Sequence, residues 1–308
     1  IALRPVFMCC VPLFATLTGY LKIHKVYEKG YYDSLVPILV SFTLISLIHL
    51  VYKTFLLKEA FVLSDRILEF FNFTLANYSW YVGMYIGLFL ISPFFNTLWQ
   101  VRMEQGFHRS ILLTLFFLSF VPLTVNTLFE KSVVPSYFTQ LSYLGYYAIG
   151  GYIRTYSPKI SKLLSFISVL LLGFIQGEIN IATRTEVNSY YSGYSASYGH
   201  LFICALTVLI FLALISTECN SKKIKKIFAR ISSVAYEMYL LSWLFDTRIY
   251  PLHKGEYGTK LYPVVGLAMT GAVFILSFLA ALPVHALSKR ISKAILTSIR
   301  KKKGNISQ

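Results

Sequence analysis

Charge is scarce in this chain of 308 residues: 14% are Asp, Glu, Lys or Arg, where soluble domains carry about 25%. Acid is scarcer still, with 13 Asp and Glu set against 29 Lys and Arg. That poverty excludes a soluble enzyme, a disordered chain and a coiled coil. There are four cysteines (Cys9, Cys10, Cys204 and Cys219), with neither metal spacing nor a disulfide framework. No phosphate-binding loop, dinucleotide fingerprint, nucleophile elbow or zinc spacing occurs. Internal repeats and low-complexity segments are also missing. No metal is therefore expected.

What the chain has instead is apolar sequence. Hydrophobic residues make up 56% and aromatic ones 17%, with a mean hydropathy of +0.61. A helix needs about 20 mostly apolar residues to cross the hydrocarbon core. Nine such runs occur, at 5–21, 34–52, 79–99, 110–128, 136–152, 163–177, 198–217, 231–247 and 262–285. They are continuous rather than alternating, which excludes a transmembrane barrel. Pro12, Pro37, Pro93, Pro122 and Pro283 fall inside them, as membrane bundles tolerate. The expected fold class is an all-α, polytopic transmembrane helix bundle forming one integral membrane domain over 1–308.

The net charge of +16 lies between these runs, so it reads as topology rather than as a nucleic-acid footprint. Alternate connections hold 20 against 8 of the Lys and Arg residues, and the richer side is cytoplasmic. It includes Lys222–Lys226 and the C-terminal Arg300–Lys303, which also suit anionic membrane lipid. With a cytoplasmic C-terminus, nine spans put Ile1 outside. One further helix is then expected before Ile1, making ten spans with both ends inside. The connection 53–78 mixes Phe55, Phe61, Leu63, Ile67 and Phe71 with Asp65, Arg66 and Glu69, a pattern expected of an amphipathic helix lying in the interface.

Four segments, in order, resemble one family. They are Val11-Pro12-Leu13-Phe14 leading to Thr18-Gly19-Tyr20-Leu21, and Trp80-Tyr81 with the aromatic-aliphatic run to Pro93. Tyr143–Tyr152 follows, closing in Gly151-Tyr152, and then Ser232–Ser242, containing Tyr239-Leu240-Leu241. Together they are similar to the membrane acyltransferase-3 family, in particular its capsule and cell-wall polysaccharide O-acetyltransferases. Ser242 stands where that family commonly has histidine. The resemblance implies an O-acyltransferase in a bacterial plasma membrane. It further implies acetyl-CoA as cytoplasmic acyl donor, and a glycan or lipid-linked glycan as acceptor. The family's arginine and histidine on or near its first helix would lie upstream of Ile1, so the catalytic residue is not named by this sequence. A transporter of lipid-linked sugar and a polysaccharide polymerase are the rival classes.

Acyl transfer to a hydroxyl needs a base and stabilisation of an oxyanion. Ionisable residues inside spans are candidates by default because their burial is expensive. On that ground the candidates are His49, His200 at the head of the seventh run and Glu237 in the eighth; Arg4 before the first run, which could hold an anionic group or polarise a carbonyl, and the hydroxyl of Thr18 are added to them. Trp80 and Tyr81 are candidates for stacking on a sugar. His24, His108 and His253 fall in connections and are expected to be solvated, and His285 at the last run's end is expected to be interfacial.

Overall fold

In the computed structural model many large apolar side chains face outward along the helices, while a set of polar ones (Ser41, His49, Asn96, Glu237 and others) is buried together with the hydrophobic core. The structure describes residues 4–129, 131–158, 160–182, 197–253 and 262–306, and all regular secondary structure among them is helical. In chain order the helices are α1 (Arg4–Met8), α2 (Cys10–Lys22), α3 (Val36–Val51), α4 (Leu63–Phe71), α5 (Trp80–Val101) and α6 (Gln105–Leu115). They continue with α7 (Val121–Leu128), α8 (Ser142–Tyr156), α9 (Lys162–Ala182), α10 (Leu201–Ile215), α11 (Lys222–Ile249) and α12 (Tyr262–Ile306).

Among the described residues six helical stretches are long and apolar enough to cross a membrane: Pro5–Lys22, Tyr31–Leu56, Trp80–Val101, Gln105–Leu128, Lys162–Ile179 and Val264–Lys301. The other three apolar runs are helical as well, but shorter or more polar. α8 carries Gly145, Gly150 and Gly151 among tyrosines, α10 has 15 residues, and α11 begins with a lysine cluster. Pro37 and Pro122 stand in the first turns of α3 and α7, where a missing N–H costs little, whereas Pro93 and Pro283 lie inside α5 and α12, as membrane helices tolerate. α12 alone has 45 residues, about 68 Å at 1.5 Å per residue, so it extends well beyond a hydrocarbon core. The tyrosine-rich stretch with Tyr190, Tyr191 and Tyr194 lies outside the described residues.

The chain divides into two compact units, Ile1–Tyr27 with Ile91–Glu218, and Glu28–Leu90 with Cys219–Gln308. In the first, α2 and α8 pack backbone to backbone. A Cβ added to Gly19 would collide with the Tyr147 carbonyl, and one added to Gly150 with the Thr16 carbonyl. Small residues let membrane helices approach in this way, where no hydrophobic drive separates protein from lipid. Asn96 of α5, fully buried, then closes the end of α2. Its amide donates to the Lys22 and Lys25 carbonyls at 2.7 and 2.6 Å, while its oxygen accepts from Tyr147 Oη at 2.8 Å. The Lys22 carbonyl, at the end of α2, also accepts from Lys25 N–H at 2.9 Å, so the Asn96 amide adds a second donor there. α9 shows the inside-out pattern plainly. Leu163, Phe166, Leu170, Leu171 and Phe174 are more than half exposed, while Ser165 and Gln176 are fully buried. Ser165 Oγ donates to the Leu209 carbonyl at 2.9 Å.

In the second unit α3, α11 and α12 pack around Phe42, Ile45, Val82, Leu240, Leu241 and Ala281. The amphipathic helix expected in 53–78 forms as α4. Arg66 pins it, donating to Glu69 at 2.8 Å and to Glu59 at 3.1 Å, with Leu63, Ile67, Leu68 and Phe71 left exposed. We predict that Gly150→Val, which drives a branched side chain into the α2 backbone, lowers the melting temperature or abolishes folding in detergent. Overpacking of this kind costs about 1–3 kcal/mol or more. Gly266→Val, with open space at its Cβ, is the control and should leave the melting temperature near that of the parent.

Candidate functional site

α12 presents one face of small and polar residues to its neighbours: Ser277, Ala281, His285, Ser288 and Ser292, spaced four, four, three and four apart. That spacing keeps them on one side of a helix, and the four flanking His285 are almost completely buried. Opposite His285 stands Glu237 of α11, only 4% exposed. A carboxylate that deep in an apolar segment needs internal partners, and it has them. His285 Nδ1 lies 3.1 Å from Glu237 Oε1, and Ser41 of α3 donates its hydroxyl to the same oxygen at 2.8 Å. Ser41 Oγ is also 2.7 Å from Ser288 Oγ, and its single proton serves one of these contacts at a time. Ser288 in turn reaches the Pro37 carbonyl at 3.4 Å.

The chemistry of this cluster follows from its donors and acceptors. An ionised Glu237 accepts, so His285 presents its proton on Nδ1. In the neutral ring Nε2 is then left as the basic nitrogen. The His285 side chain is about a third exposed. A histidine held by a carboxylate through one nitrogen and basic at the other is the arrangement of a general base with its orienting partner. Lys289, Arg290 and Lys293 follow His285 along α12, exposed, and Lys222, Lys223, Lys225, Lys226 and Arg230 precede Glu237 along α11, also exposed. Because Glu237 and His285 meet near the middle of both helices, these cations lie to one side of the His–Glu pair, Lys289 to Lys293 about 6–12 Å from His285 and Arg230 to Lys222 about 10–22 Å from Glu237 along the helix axes. Lysines in the first turn of α11 oppose the helix dipole, so helix formation does not account for them.

Of the candidates named from the sequence, Glu237 belongs to this cluster. His285 does too, although its position at the end of an apolar run had suggested an interfacial group. α12 does not end there but continues to Ile306. His49 lies on the same α3–α11 seam, eight residues beyond Ser41 and hence about 12 Å along the helix. It is fully buried, with Nε2 3.1 Å from the Leu240 carbonyl and its ring stacked on Trp243. Tyr81 packs edge-on against Tyr239 and beside Tyr85, and Trp80 edge-on against Tyr81. These belong to the second unit.

The remaining candidates belong to the first. Thr18 donates to the Phe14 carbonyl of its own helix at 2.7 Å. His200 is buried as the residue preceding α10. Arg4 opens α1, and its side chain lies outside the described residues. His108, expected to be solvated, is fully buried instead. It stacks on Trp99 at 3.8 Å between ring centres and bonds the Trp99 carbonyl and Tyr156 Oη at 2.8 and 2.7 Å. Its position in the first turn of α6, beside the end of α5, explains the difference. Among the described residues no cluster of His, Cys, Asp and Glu fits a metal ion.

Comparison with known proteins adds one finding. A family model described as an acyltransferase domain matches residues 2–282. No curated protein and no solved structure matches. If His285 acts as a base oriented by Glu237, His285→Gln should lower acyl transfer by about 100-fold or more, the range for removing a general base. Glu237→Gln should cost less than His285→Gln and shift the pH profile. Equal activity of His285→Gln and parent in a vesicle transfer assay would leave this pair a purely structural one.

Proposed function

The chain belongs to the acyltransferase-3 family as a multi-pass membrane acyltransferase, and from that premise we propose that it O-acetylates a cell-envelope polysaccharide or its lipid-linked precursor. The observation that carries this reading is the family match across nine-tenths of the chain, residues 2–282. The four sequence segments that resemble polysaccharide O-acetyltransferases narrow it. Nothing favours the transporter or the polymerase.

In this reading residues 1–308 act as one acyltransferase domain in a bacterial plasma membrane. All nine apolar runs span, and the basic end of the α11–α12 pair is cytoplasmic. Acetyl-CoA is the donor. The exposed cations at 222–230 and 289–301 suit its phosphates, and their place beside His285 supports delivery of the thioester to that end. His285 Nε2 takes the proton of the attacking hydroxyl while Glu237 holds Nδ1–H. The hydroxyl oxygen bonds to the thioester carbonyl carbon, the carbon–sulfur bond breaks, and the proton goes to the departing thiolate. Glycan, lipid-linked glycan and surrounding membrane lipid are the partners; nucleic acid is not. Arg4, Thr18, His49 and His200 remain candidates for further steps of the transfer, and Trp80 and Tyr81 for stacking on the acceptor.

Proton NMR of purified surface polysaccharide tests the proposal. Cells lacking the gene should lose O-acetyl methyl signals at unchanged polymer length and yield, and complementation should restore them. Retained acetyl signals with lost or shortened polymer would contradict it.

A further inference from the structure

The second unit buries another cation, and this one has no carboxylate. Lys53 is only 7% exposed, and no acidic group lies within ion-pair distance of it among the described residues. It sits in the π-helical turn Tyr52–Leu56 that continues α3, a distortion found often at functional sites. Its ammonium stands 5.8 Å from the ring centre of Trp243. One turn back on α3, His49 stacks on the same Trp243 ring at 5.3 Å. The Leu240 carbonyl holds the His49 Nε2 proton, and Nδ1 is buried with no partner. Arg248 completes the group. Its Nε donates to Tyr52 Oη at 2.9 Å, which leaves its terminal nitrogens without a bond among the described residues, on an exposed side chain. The acid nearest in sequence, Asp246, accepts from Tyr78 Oη at 2.8 Å.

A lysine side chain with so little exposure and no counter-charge is expensive, and so is a buried ring nitrogen with no donor. Both deficits are removed by one ligand that carries negative charge for Lys53 and Arg248 and a hydroxyl proton for His49 Nδ1. The geometry points to a binding site here for a phosphate ester bearing a free hydroxyl. The site lies at the opposite end of α11 from the lysine cluster. Two molecules have this chemistry: a lipid-linked sugar phosphate, which would make the site an acceptor site and so rests on the proposed acetylation, and phosphatidylglycerol.

The test is direct binding, so it reads out independently of acyl transfer. The purified protein in phosphatidylcholine nanodiscs is titrated with a radiolabelled short-chain prenyl phospho-sugar, with the neutral prenyl glycoside, and with phosphatidylglycerol. The phospho-sugar or phosphatidylglycerol should bind about tenfold or more tightly than the neutral glycoside, and Lys53→Met should remove that preference by about the same factor, as expected for a charge-assisted bond. Lys53→Arg should retain it. Because Lys53→Met also removes an uncompensated buried charge, the ligand-free variant should melt at or above the parent temperature. Arg248→Gln, at an exposed position, should weaken binding without affecting folding. Which of the two phosphate ligands shows the Lys53-dependent preference identifies the source. Equal binding of charged and neutral ligands, or full binding by Lys53→Met, would overturn the site, and neither result bears on whether acetyl groups are transferred.

Discussion

Inside a lipid bilayer each polar group must find its partner within the protein, because no water is there to supply one. Much of the hydrogen bonding described above follows from that constraint. Hydroxyls on the helices bond back to carbonyls of their own helix, as Thr16 does to Pro12 and Thr207 to Ile203. Asn96 closes the carbonyl end of α2. Glu237 is tolerable in α11 because Ser41 of α3 and His285 of α12 converge on one of its oxygens. Removing either partner leaves a buried charge short of a bond, which is costly. The same network that makes Glu237 affordable is therefore the one that orients a basic histidine nitrogen.

Within the second unit this gives a polar seam in an apolar body. Ser41, Ser46, His49 and Lys53 lie along α3, all at most 7% exposed, and α11 and α12 supply Glu237, Trp243, His285 and Ser288. One end carries exposed lysines and arginines and a carboxylate-held histidine. The other carries a buried ammonium, a half-satisfied histidine and an aromatic plate. In the function proposed above, the thioester donor is assigned to the first end and the phosphate-bearing acceptor to the second. Acyl transfer from the one to the other is a use for both.

Much of this was legible in the sequence. The apolar runs located every main helix, because a run of some 20 apolar residues has few alternatives. The amphipathic pattern of 63–71 located α4. The three failures have physical causes. His285 looked interfacial because the apolar run ends there, yet the helix does not, and the serine spacing at 277, 288 and 292 was the signal that its face turns inward. Lys53 looked like the first residue of a connection, but the π-helical turn carries α3 one step further and buries it. His108 looked solvated because polar residues surround it in sequence. Its burial depends on Trp99 and Tyr156, which no local pattern brings together.

The most direct measurement is transfer of labelled acetyl groups by the purified protein. It would be reconstituted in vesicles with labelled acetyl-CoA and a lipid-linked glycan, and compared with the His285→Gln variant, with both samples checked for the same melting temperature. Alkali-labile label on the glycan, present with the parent and lost by about 100-fold with the variant, is the predicted result. Label that stays in acetyl-CoA with both proteins, or that transfers equally with both, would contradict the account.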